Sequence, residues 1–322
     1  MNGFFLGVDG GGTKTLAAIC DANGHILGRG SSGPSNIDDV GLEPAAANIS
    51  QAVNIARAAA NLEPQPFAAA FLGLAGVVST RDRALTHGIA ERLELAAPDH
   101  IGVDHDCRIA LAGGLAGRSG AVLIVGTGSS CYGVNDAGEA WRSGGWGSLI
   151  SDEGSGYFLG REGLIAAVRS LDGRGPSSSL ADALLKSLGV TQPDDLLHRL
   201  YVTGLTRSEI AALAPIILDS AADGDAAALE IVERGSDLLA ECVAAVAQHL
   251  RLERFELVVV GGLYNASLLV QNMLHGRLLG SVPQCRIVTP ELPPVLGACL
   301  LALGGVASSA AIERLKLEQA RI

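Results

Sequence analysis

The stretch that decides how this chain is interpreted is Gly7-Val-Asp-Gly-Gly-Gly-Thr-Lys-Thr15. The apolar segment 4–8 that runs into it predicts a short buried strand. The glycines allow several backbone N–H groups to converge on one anion, because no Cβ blocks the approach. Thr13 and Lys14 add a hydroxyl and a cation at the same turn. The stretch therefore predicts a phosphate-binding turn, with a tight structural turn as the alternative for a glycine triplet taken alone.

A P-loop is the obvious rival interpretation, but two features argue against it. The P-loop requires a lysine directly after its last glycine, and here Thr13 occupies that position. The segments 15–21 and 25–29 are extended runs around Asn23-Gly24, which is a strong hairpin signal. The glycine turn is therefore expected between strands of a hairpin sheet, and not between a strand and a helix.

The composition limits the classes of partner. A length of 322 residues suits two domains, and a net charge of −11 argues against nucleic acid or an anionic membrane as the main partner. ATP stays possible, because glycine-loop amides and Mg²⁺ can carry the phosphate charge. No apolar run reaches the roughly 18 residues of a membrane span, and the N-terminus does not resemble a signal peptide. The six dispersed cysteines indicate buried thiols in a reducing cytoplasm, and neither a disulfide framework nor a metal site.

The pattern of the first segment repeats further along the chain. A strand at 121–125 is followed by the glycine turn Gly126–Ser129 and by a second hairpin, and a strand at 255–260 ends in Gly261-Gly262. This repetition predicts two similar α/β halves that face one cleft. We expect an N-terminal α/β domain over residues 1–117 and a C-terminal α/β domain over residues 118–304, with a helical insertion at about 165–250. A final helix at about 305–322 is expected to pack back on the first domain.

These glycine turns, in this order, resemble those of the actin-like ATPase and sugar kinase superfamily. Gly144-Gly-Trp-Gly147 followed by Asp152-Glu-Gly-Ser155 is similar to the N-acetylglucosamine and glucosamine kinase branch of the BadF/BadG/BcrA/BcrD ATPase family. The resemblance covers about residues 3–165 and 256–303. It implies two ribonuclease H-like domains around a central nucleotide and sugar cleft, ATP and Mg²⁺ as cofactors, phosphorylation of the 6-hydroxyl of an amino sugar, and a homodimer.

The resemblance also implies which residues bind ATP, all of them in the three glycine turns: Asp9, Gly10, Gly11, Gly12, Thr13, Lys14, Gly126, Thr127, Gly128, Ser129, Gly261 and Gly262. Asp9 is expected to hold Mg²⁺ through water, and Thr13 and Thr127 to donate hydroxyls to phosphate oxygens. For Lys14, a contact with phosphate and an orientation toward solvent are equally open.

Asp106 falls on the catalytic base of the family, in the pattern Asp106-x-x-x-Ala110-Leu111. It is expected to accept the proton of the attacking sugar hydroxyl. Asp104, at the end of a predicted strand, is the competitor for this role. The structural alternative for either aspartate is a helix cap, and Asp106 is a good N-cap for a helix that begins at Cys107.

The sugar site that the resemblance implies contains Asn36, Asp106, Gly145, Trp146 and Asp152. The glycines beside Trp146 leave one face of its ring open for a sugar. Asp152 could instead cap the following helix, and Glu153 is not separable from such a capping role. Asp38 and Asp39 either favour the ammonium group of glucosamine or belong to a solvated loop.

Two other functions remain open at this stage. A BadF-type activator of a reductase or dehydratase carries an iron–sulfur cluster and needs cluster cysteines. Cys107 and Cys131 fall in a predicted helix and a predicted strand, without partners at ligand spacing. A non-catalytic sugar sensor is the third interpretation, and the lack of a DNA-binding extension before residue 3 disfavours a repressor. The sequence does not separate N-acetylglucosamine, glucosamine, glucose and N-acetylmuramate as the acceptor.

Overall fold

The computed structural model describes residues 3–190, 192, 194–304 and 307–319. The chain divides into two compact units, one formed by Met1–Val122 with Val288–Ile322 and the other by Leu123–Ile287. Each unit is built on a five-stranded sheet with helices, as the α/β prediction requires. None of the helices in the described part of the chain is both long and apolar enough to cross a membrane.

The sheet of the first unit has the strand order β3-β2-β1-β4-β5. Its strands are β1 (Phe4–Gly10), β2 (Thr15–Asp21), β3 (Ile26–Ser32), β4 (Ala69–Leu74) and β5 (Ile101–His105). The first three form antiparallel hairpins, while β1, β4 and β5 run parallel. The Asn23-Gly24 prediction is confirmed, because the chain reverses there and Gly24 adopts a φ of 82°. Because side chains alternate along β1, Leu6 and Val8 enter one core and Phe5 enters the other.

Four helices of the first unit follow its strands: α1 (Ile37–Val40), α2 (Leu42–Ala59), α3 (Thr80–Arg92) and α4 (Asp106–Gly114), with a 3₁₀ turn at Pro98–His100. The helix α2 covers the hairpin strands and contributes Ile49 and Val53 to the main core. Ser79 and Asp82 form a capping box that starts α3. These connections place the ends of β1, β4 and β5 along one edge of the sheet.

The sheet of the second unit repeats the topology of the first. Its order is β10-β9-β6-β7-β8, formed by β6 (Gly120–Val125), β7 (Ser129–Val134), β8 (Ala140–Gly144), β9 (Phe255–Val260) and β10 (Cys285–Val288). In each sheet the first strand in the chain is central, the next two extend it on one side, and the last two extend it on the other. The duplication predicted from the strand, glycine turn and hairpin pattern is therefore present in the fold.

The helices of the second unit are α5 (Gly156–Leu171), α6 (Leu180–Ser187), α7 (Asp195–Leu197), α8 (Arg207–Ala211), α9 (Ala214–Ala222), α10 (Ala226–His249), α11 (Gly262–Ala266) and α12 (Leu268–Ser281), with a π-helical turn at His198–Val202. Most of them surround a core of their own, which includes Phe158, Leu184 and Ile217. The predicted helical character of this region is thus observed.

The division between the units differs from the one expected at 117/118 and 304. It lies after Val122, and the second unit ends at Ile287. The helix α13 (Pro294–Leu303), which we expected in the second domain, belongs to the first unit because it lies directly on β1. The described part of the expected tail helix, α14 (Ser309–Gln319), also belongs there, and Glu318 accepts a hydrogen bond from the backbone N–H of Ile26 at 2.7 Å. Residues 305, 306 and 320–322 of that expected tail lie outside the described residues.

Candidate active site

The first glycine turn closes the hairpin between β1 and β2, as predicted from the sequence. The strands pair up to Gly10 and Thr15, and the N–H of Gly11 donates to the carbonyl of Lys14 at 3.0 Å. The carbonyl of Gly11 accepts hydrogen bonds from the N–H groups of Ser35 and Asn36 at 3.0 and 3.2 Å. Thr13 and Lys14 are exposed at the tip of the turn. The loop that carries Asn36 is therefore fixed to the phosphate-type turn by backbone hydrogen bonds.

Asn36 is buried and caps the short helix α1. Its side-chain oxygen accepts from the N–H of Asp38 at 3.2 Å, and its Nδ2 donates to Oδ2 of Asp39 at 2.8 Å. Asp38 and Asp39 are exposed. A Cβ added at Gly12 would lie 3.1 Å from Oδ2 of Asp39, so this carboxylate reaches the first glycine turn. Both ends of the Asn36 amide already have partners, which orients the side chain for any further contact.

The end of β5 carries both aspartates that compete for the role of base. Arg83 donates to Oδ1 of Asp104 from Nε at 3.2 Å and from Nη2 at 2.9 Å. Burial alone would raise the pKa of Asp104, but the interaction with His105 and the hydrogen bonds from Arg83 and from the His105 backbone outweigh burial and lower the pKa. Asp104 is therefore committed to a local ion pair.

Asp106 is not the N-cap of the following helix, contrary to the expectation from the sequence. The N-cap is His105, whose Nδ1 accepts from the N–H of Arg108 at 3.2 Å, and Asp106 is the first residue of α4. Oδ1 of Asp106 accepts from the N–H of Cys107 at 2.8 Å. The imidazole takes over the capping role because it reaches the third N–H of the helix. The carboxylate of Asp106 is thereby available for another task.

Asp9 is the penultimate residue of the central strand β1 and lies near Asp106 and Lys14. Burial and, second, the negative charge of Asp106 raise the pKa of Asp9 to about 7, although the charge of Lys14 lowers it. Two neighbouring carboxylates, both half-buried, form a site that favours a cation. Oxygen ligands are those that Mg²⁺ prefers, so this pair fits the expected metal.

A second group of possible ligand atoms lies at the start of α4. The side chains of His105, Asp106 and Cys107 offer atoms within 4.8 Å of one another. Imidazole nitrogen and thiolate suit transition metals and not Mg²⁺. Nδ1 of His105 is already used as the helix cap. Asp9 therefore remains the better candidate for the cation of a nucleotide.

The second glycine turn is held by the first turn of α5. The N–H groups of Gly156 and Tyr157 donate to the carbonyls of Gly126 and Thr127 at 2.8 and 3.1 Å. Inside the turn, the N–H of Gly126 donates to the carbonyl of Gly128 at 2.9 Å. The carbonyls of Gly126 and Thr127 therefore face the helix.

Ser129, the last residue of this turn, is buried, and its polar groups are used within the unit. Its hydroxyl donates to the carbonyl of Glu153 at 2.6 Å, and its N–H donates to Oδ1 of Asp152 at 3.2 Å. These bonds connect the turn directly to the Asp152-Glu-Gly-Ser155 segment.

The third glycine turn lies against the second. Gly261 follows β9 with a φ of 122°, and an added Cβ would overlap the carbonyl oxygen of Val125. A Cβ added at Gly126 would lie 3.8 Å from the N–H of Gly262. The two turns predicted to bind ATP in this unit are thus neighbours in space.

Asp152 lies within this cluster and not on a free loop surface. It is 2% exposed, has a φ of 64°, and accepts from Nη2 of Arg207 at 2.7 Å through Oδ2. A buried carboxylate needs such a partner, because an unpaired charge in the interior is costly. No sequence motif points to Arg207, which comes from α8, 55 residues further along the chain.

Trp146 is exposed over 66% of its surface and is therefore no part of a core. The guanidinium of Arg142 lies 5.1 Å from the centre of its ring, and Nη1 of Arg142 donates to the carbonyl of Gly145 at 3.0 Å. Gly144, Gly145 and Gly147 all have positive φ values. The segment thus presents one face of the indole outward while Arg142 supports the other face.

Residues 6–302 match the sequence profile of the BadF/BadG/BcrA/BcrD ATPase family. The chain belongs to this family. Over 301 residues it is 31% identical to an N-acetylmuramic acid/N-acetylglucosamine kinase of Clostridium acetobutylicum, covering 93% of this chain and 98% of the relative. Over 312 residues it is 32% identical to an N-acetyl-D-glucosamine kinase of Dictyostelium discoideum, covering 93% and 97% of the two chains.

Solved structures show the fold of this member of the BadF/BadG/BcrA/BcrD family. A putative N-acetylglucosamine kinase from Chromobacterium violaceum is similar with a TM-score of 0.76 and 25% identity, over 94% of this chain and 99% of the other. A ROK family glucokinase from Streptomyces griseus has a TM-score of 0.58 at 18% identity, over 93% and 98%. The predicted actin-like ATPase and sugar kinase fold class is confirmed.

The residues predicted for the site form one group in each unit of this ATPase-family member. In the first unit, Asp9, the first glycine turn, Asn36 and Asp106 lie at the same edge of the sheet. In the second, the two other glycine turns adjoin Asp152, and Trp146 lies on the segment after β8. The sequence analysis did not identify Arg83, Arg142 or Arg207, because none of them belongs to a motif. Arg83 and Arg207 meet their partners Asp104 and Asp152 only in the folded chain.

Proposed function

We propose that this protein transfers the γ-phosphate of ATP to the 6-hydroxyl of N-acetylglucosamine or glucosamine. That it is a sugar kinase, and so a phosphotransferase, follows from its family and from the names of the relatives that it matches over 93% of its length. A glucosamine kinase of Vibrio cholerae is 29% identical over 72% of this chain, so a further relative is also named as an amino-sugar kinase. We place the enzyme in the cytoplasm as a homodimer.

The observation that carries the proposal is the contrast between the two aspartates at the end of β5. Asp104 is paired with Arg83, while Asp106 starts α4 with one oxygen on the N–H of Cys107. Asp106 is therefore the carboxylate that accepts the proton of the sugar hydroxyl as this attacks the γ-phosphate in line. Its place on the helix N-terminus keeps the side chain in one orientation.

The residues that we assign to nucleotide binding lie in glycine turns, one in the first unit and two in the second. The exposed hydroxyl and ammonium groups of Thr13 and Lys14 are accessible to phosphate oxygens, and Thr127 supplies a second hydroxyl. Asp9 would hold Mg²⁺ through water, and the bound cation would neutralise part of the charge of the phosphates. Positioning and charge stabilisation account for most of the catalysis of phosphoryl transfer.

In the first unit the residues that we assign to sugar recognition are Asn36 and Asp106, and in the second unit they are Gly145, Trp146 and Asp152. The outward face of the Trp146 ring suits the apolar face of a pyranose, and the buried carboxylate of Asp152 accepts hydrogen bonds from sugar hydroxyls. Asp39 is engaged with Asn36, which favours a structural role for this acidic residue over recognition of an ammonium group. N-acetylglucosamine is therefore the first acceptor to test.

The activator and sensor alternatives receive less support. None of the six cysteines, which all lie among the described residues, forms a disulfide, and Cys107 and Cys131 are buried in α4 and β7, where a cluster would need the helix and the strand to open. A protein with an iron–sulfur cluster would be coloured, so the absorption spectrum of anaerobically purified protein separates the activator from the kinase.

The deciding experiment is an ADP-release assay with Mg-ATP against N-acetylglucosamine, glucosamine, glucose and N-acetylmuramate, with a control lacking sugar. The matched acceptor control is 6-deoxy-N-acetylglucosamine, which keeps every recognition group except the reacting hydroxyl. Turnover with N-acetylglucosamine and none with the 6-deoxy sugar is the expected result, with a 6-phosphate as the product by ³¹P NMR. ADP release that is indifferent to every sugar, or phosphorylation at another hydroxyl, would contradict the proposal.

A further inference from the structure

Arg207 lies on the second glycine turn although it belongs to the helical region of the chain. Its Nη2 donates to Oδ2 of Asp152 at 2.7 Å, while the N–H of Ser129 donates to Oδ1 of the same carboxylate at 3.2 Å. A Cβ added at Gly128 would overlap Nη2 of Arg207 and would lie 2.7 Å from Oδ1 of Asp152. The turn thus admits the guanidinium only because residue 128 is a glycine.

We propose that Arg207 binds the γ-phosphate of ATP and that Asp152 is the residue that positions it. The proposal rests on the function proposed above, because Asp152 is taken there to contact the acceptor sugar. If Asp152 contacts the acceptor sugar, then Arg207, which pairs with Asp152, also lies close to the acceptor. It therefore lies near the end of the nucleotide that faces the sugar. That end is the γ-phosphate.

The negative charge of Asp152 beside the second glycine turn requires a cation such as Arg207 to balance it. Asp152 is 2% exposed, and a buried carboxylate beside a phosphate-binding turn repels the phosphates, with little solvent to screen the repulsion. The Arg207 side chain is 27% exposed, whereas the Asp152 side chain with which it pairs is 3% exposed, so the arginine is the more accessible member of the pair. The planar fork of arginine can donate to a carboxylate and to a phosphate at once, which lysine does less well.

The local structure fixes where Arg207 can reach. Thr206 and Glu209 form a capping box that starts α8 at Arg207, with Thr206 N–H donating to Oε2 of Glu209 at 2.8 Å. Arg199 donates to Oε1 of the same Glu209 at 3.0 Å. The backbone that carries Arg207 is therefore held independently of its ion pair, so a substitution at residue 207 removes the guanidinium without removing the anchor of α8.

The test compares the affinities of the full-length protein for AMP-PNP and for ADP, both with Mg²⁺ and without sugar, by isothermal titration calorimetry. R207Q is expected to weaken AMP-PNP binding about tenfold or more, the size of one lost charge-assisted hydrogen bond, and to change ADP binding by no more than about twofold. R207K is expected to fall in between, because it keeps the charge and loses the fork. R174Q is the control, since Arg174 is an exposed arginine of the same unit that pairs with Asp172.

Equal weakening of both nucleotides in R207Q and R207K would assign Arg207 to the structure of the turn and overturn the proposal. Unchanged affinities would do the same. Because R207K keeps the ion pair with Asp152, it preserves the test if R207Q does not fold. Nucleotide binding needs no sugar, so a protein that binds AMP-PNP through Arg207 but phosphorylates no sugar would contradict the proposed acceptor and leave the assignment of Arg207 intact.

Discussion

Arg83 donates two hydrogen bonds to one oxygen of Asp104, from Nε at 3.2 Å and from Nη2 at 2.9 Å. Asp104 and Asp106 are two residues apart and both lie at the carboxyl end of β5, so the sequence offers two candidates for one base. The ion pair distinguishes them, because a carboxylate that is held by a guanidinium is a poorer proton acceptor. The two aspartates are therefore expected to respond differently to the same substitution.

Asp106→Asn is expected to lower kcat by about 100-fold or more, since a general base contributes roughly 10²–10⁴-fold. The amide keeps the size of the side chain, so the KM for sugar should change far less than kcat. The measurement is steady-state kinetics with N-acetylglucosamine and Mg-ATP. The matched variant Asp104→Asn is expected to keep kcat within about threefold and to lose roughly 1 kcal/mol of stability with the Arg83 pair. A larger loss of kcat in Asp104→Asn than in Asp106→Asn would reverse the assignment.

The positions of these two aspartates at the end of a strand and the start of a helix could be predicted from the sequence, but the contacts that distinguish them could not. The apolar strand and the following helix were predictable from local pattern, because the residues that define each element are adjacent in the chain. The partner of Asp104 comes from α3, and the capping by His105 depends on which side chain reaches the N–H of Arg108. Both are properties of the folded chain, which explains why Asp106 was expected to be the cap.

The dependence of Mg²⁺ activation on pH should report the titration of Asp9. Burial first, and the charge of Asp106 second, raise the pKa of Asp9 to about 7. Below that pH the proton competes with the cation, so the Mg²⁺ concentration for half-maximal activity should be about tenfold higher at pH 6 than at pH 8. Lys14→Met should raise the Mg²⁺ concentration needed for half-maximal activity at pH 7, because Lys14 lowers the pKa of Asp9 and its loss leaves more of this carboxyl protonated. An activation constant that is the same at pH 6 and pH 8 would remove Asp9 from the metal site.

The same titration should affect the stability of the metal-free protein. An acid whose pKa is raised on folding stabilises the folded state below its unfolded pKa, near 4, and this contribution is lost as the pH rises to about 7. Asp9→Asn carries no charge at any pH, so it should be more stable than the wild type at pH 8 in EDTA, by no more than about 4 kcal/mol. The difference should vanish near pH 4. Urea unfolding at the two pH values measures it, and a less stable Asp9→Asn protein at pH 8 would show that burial does not disfavour the ionised carboxylate.

Sugar binding by the ring of Trp146 should depend on the contact between this ring and the guanidinium of Arg142. Arg142→Met removes the cation from the ring and the hydrogen bond to Gly145, and Trp146→Ala removes the ring. Each is expected to raise the KM for sugar about tenfold with little change in the KM for ATP, because the contact concerns the acceptor alone. Equal increases in both KM values would instead indicate a general disturbance of the second unit.

Fluorescence gives this prediction a direct control. The only other tryptophan of the chain is Trp141, which stacks on His249 with ring centres 3.5 Å apart. Trp141→Phe leaves Trp146 as the single indole, and its emission should change when sugar is added without ATP. Trp146→Phe should lose that response. A sugar response that survives in Trp146→Phe and is absent from Trp141→Phe would place the sugar elsewhere.

The three glycine turns and the duplicated topology could be predicted because each signal is local: an apolar run, glycines, and an extended pair around a turn. The membership of α13 in the first unit could not be predicted in this way. It depends on close approach between segments that are almost 300 residues apart, as between Gly7 and Cys299. The contact of Arg207 with Gly128 could not be predicted either, because these residues are distant in the sequence and meet only in the folded chain.

The contact between β1 and α13 yields a test of that assignment. A Cβ added at Gly7 would lie 2.5 Å from the backbone of Val295 and Cys299, where no flexible side chain can yield. Gly7→Ala should therefore destabilise the first unit by roughly 1–3 kcal/mol, as overpacked cores do. The control is Gly88→Ala: Gly88 is exposed in α3 with nothing within 4 Å of an added Cβ, so alanine should stabilise the helix by about 1 kcal/mol or less. If thermal unfolding gave both variants the same Tm, the close packing of α13 on β1 would be wrong, and with it the assignment of this helix to the first unit.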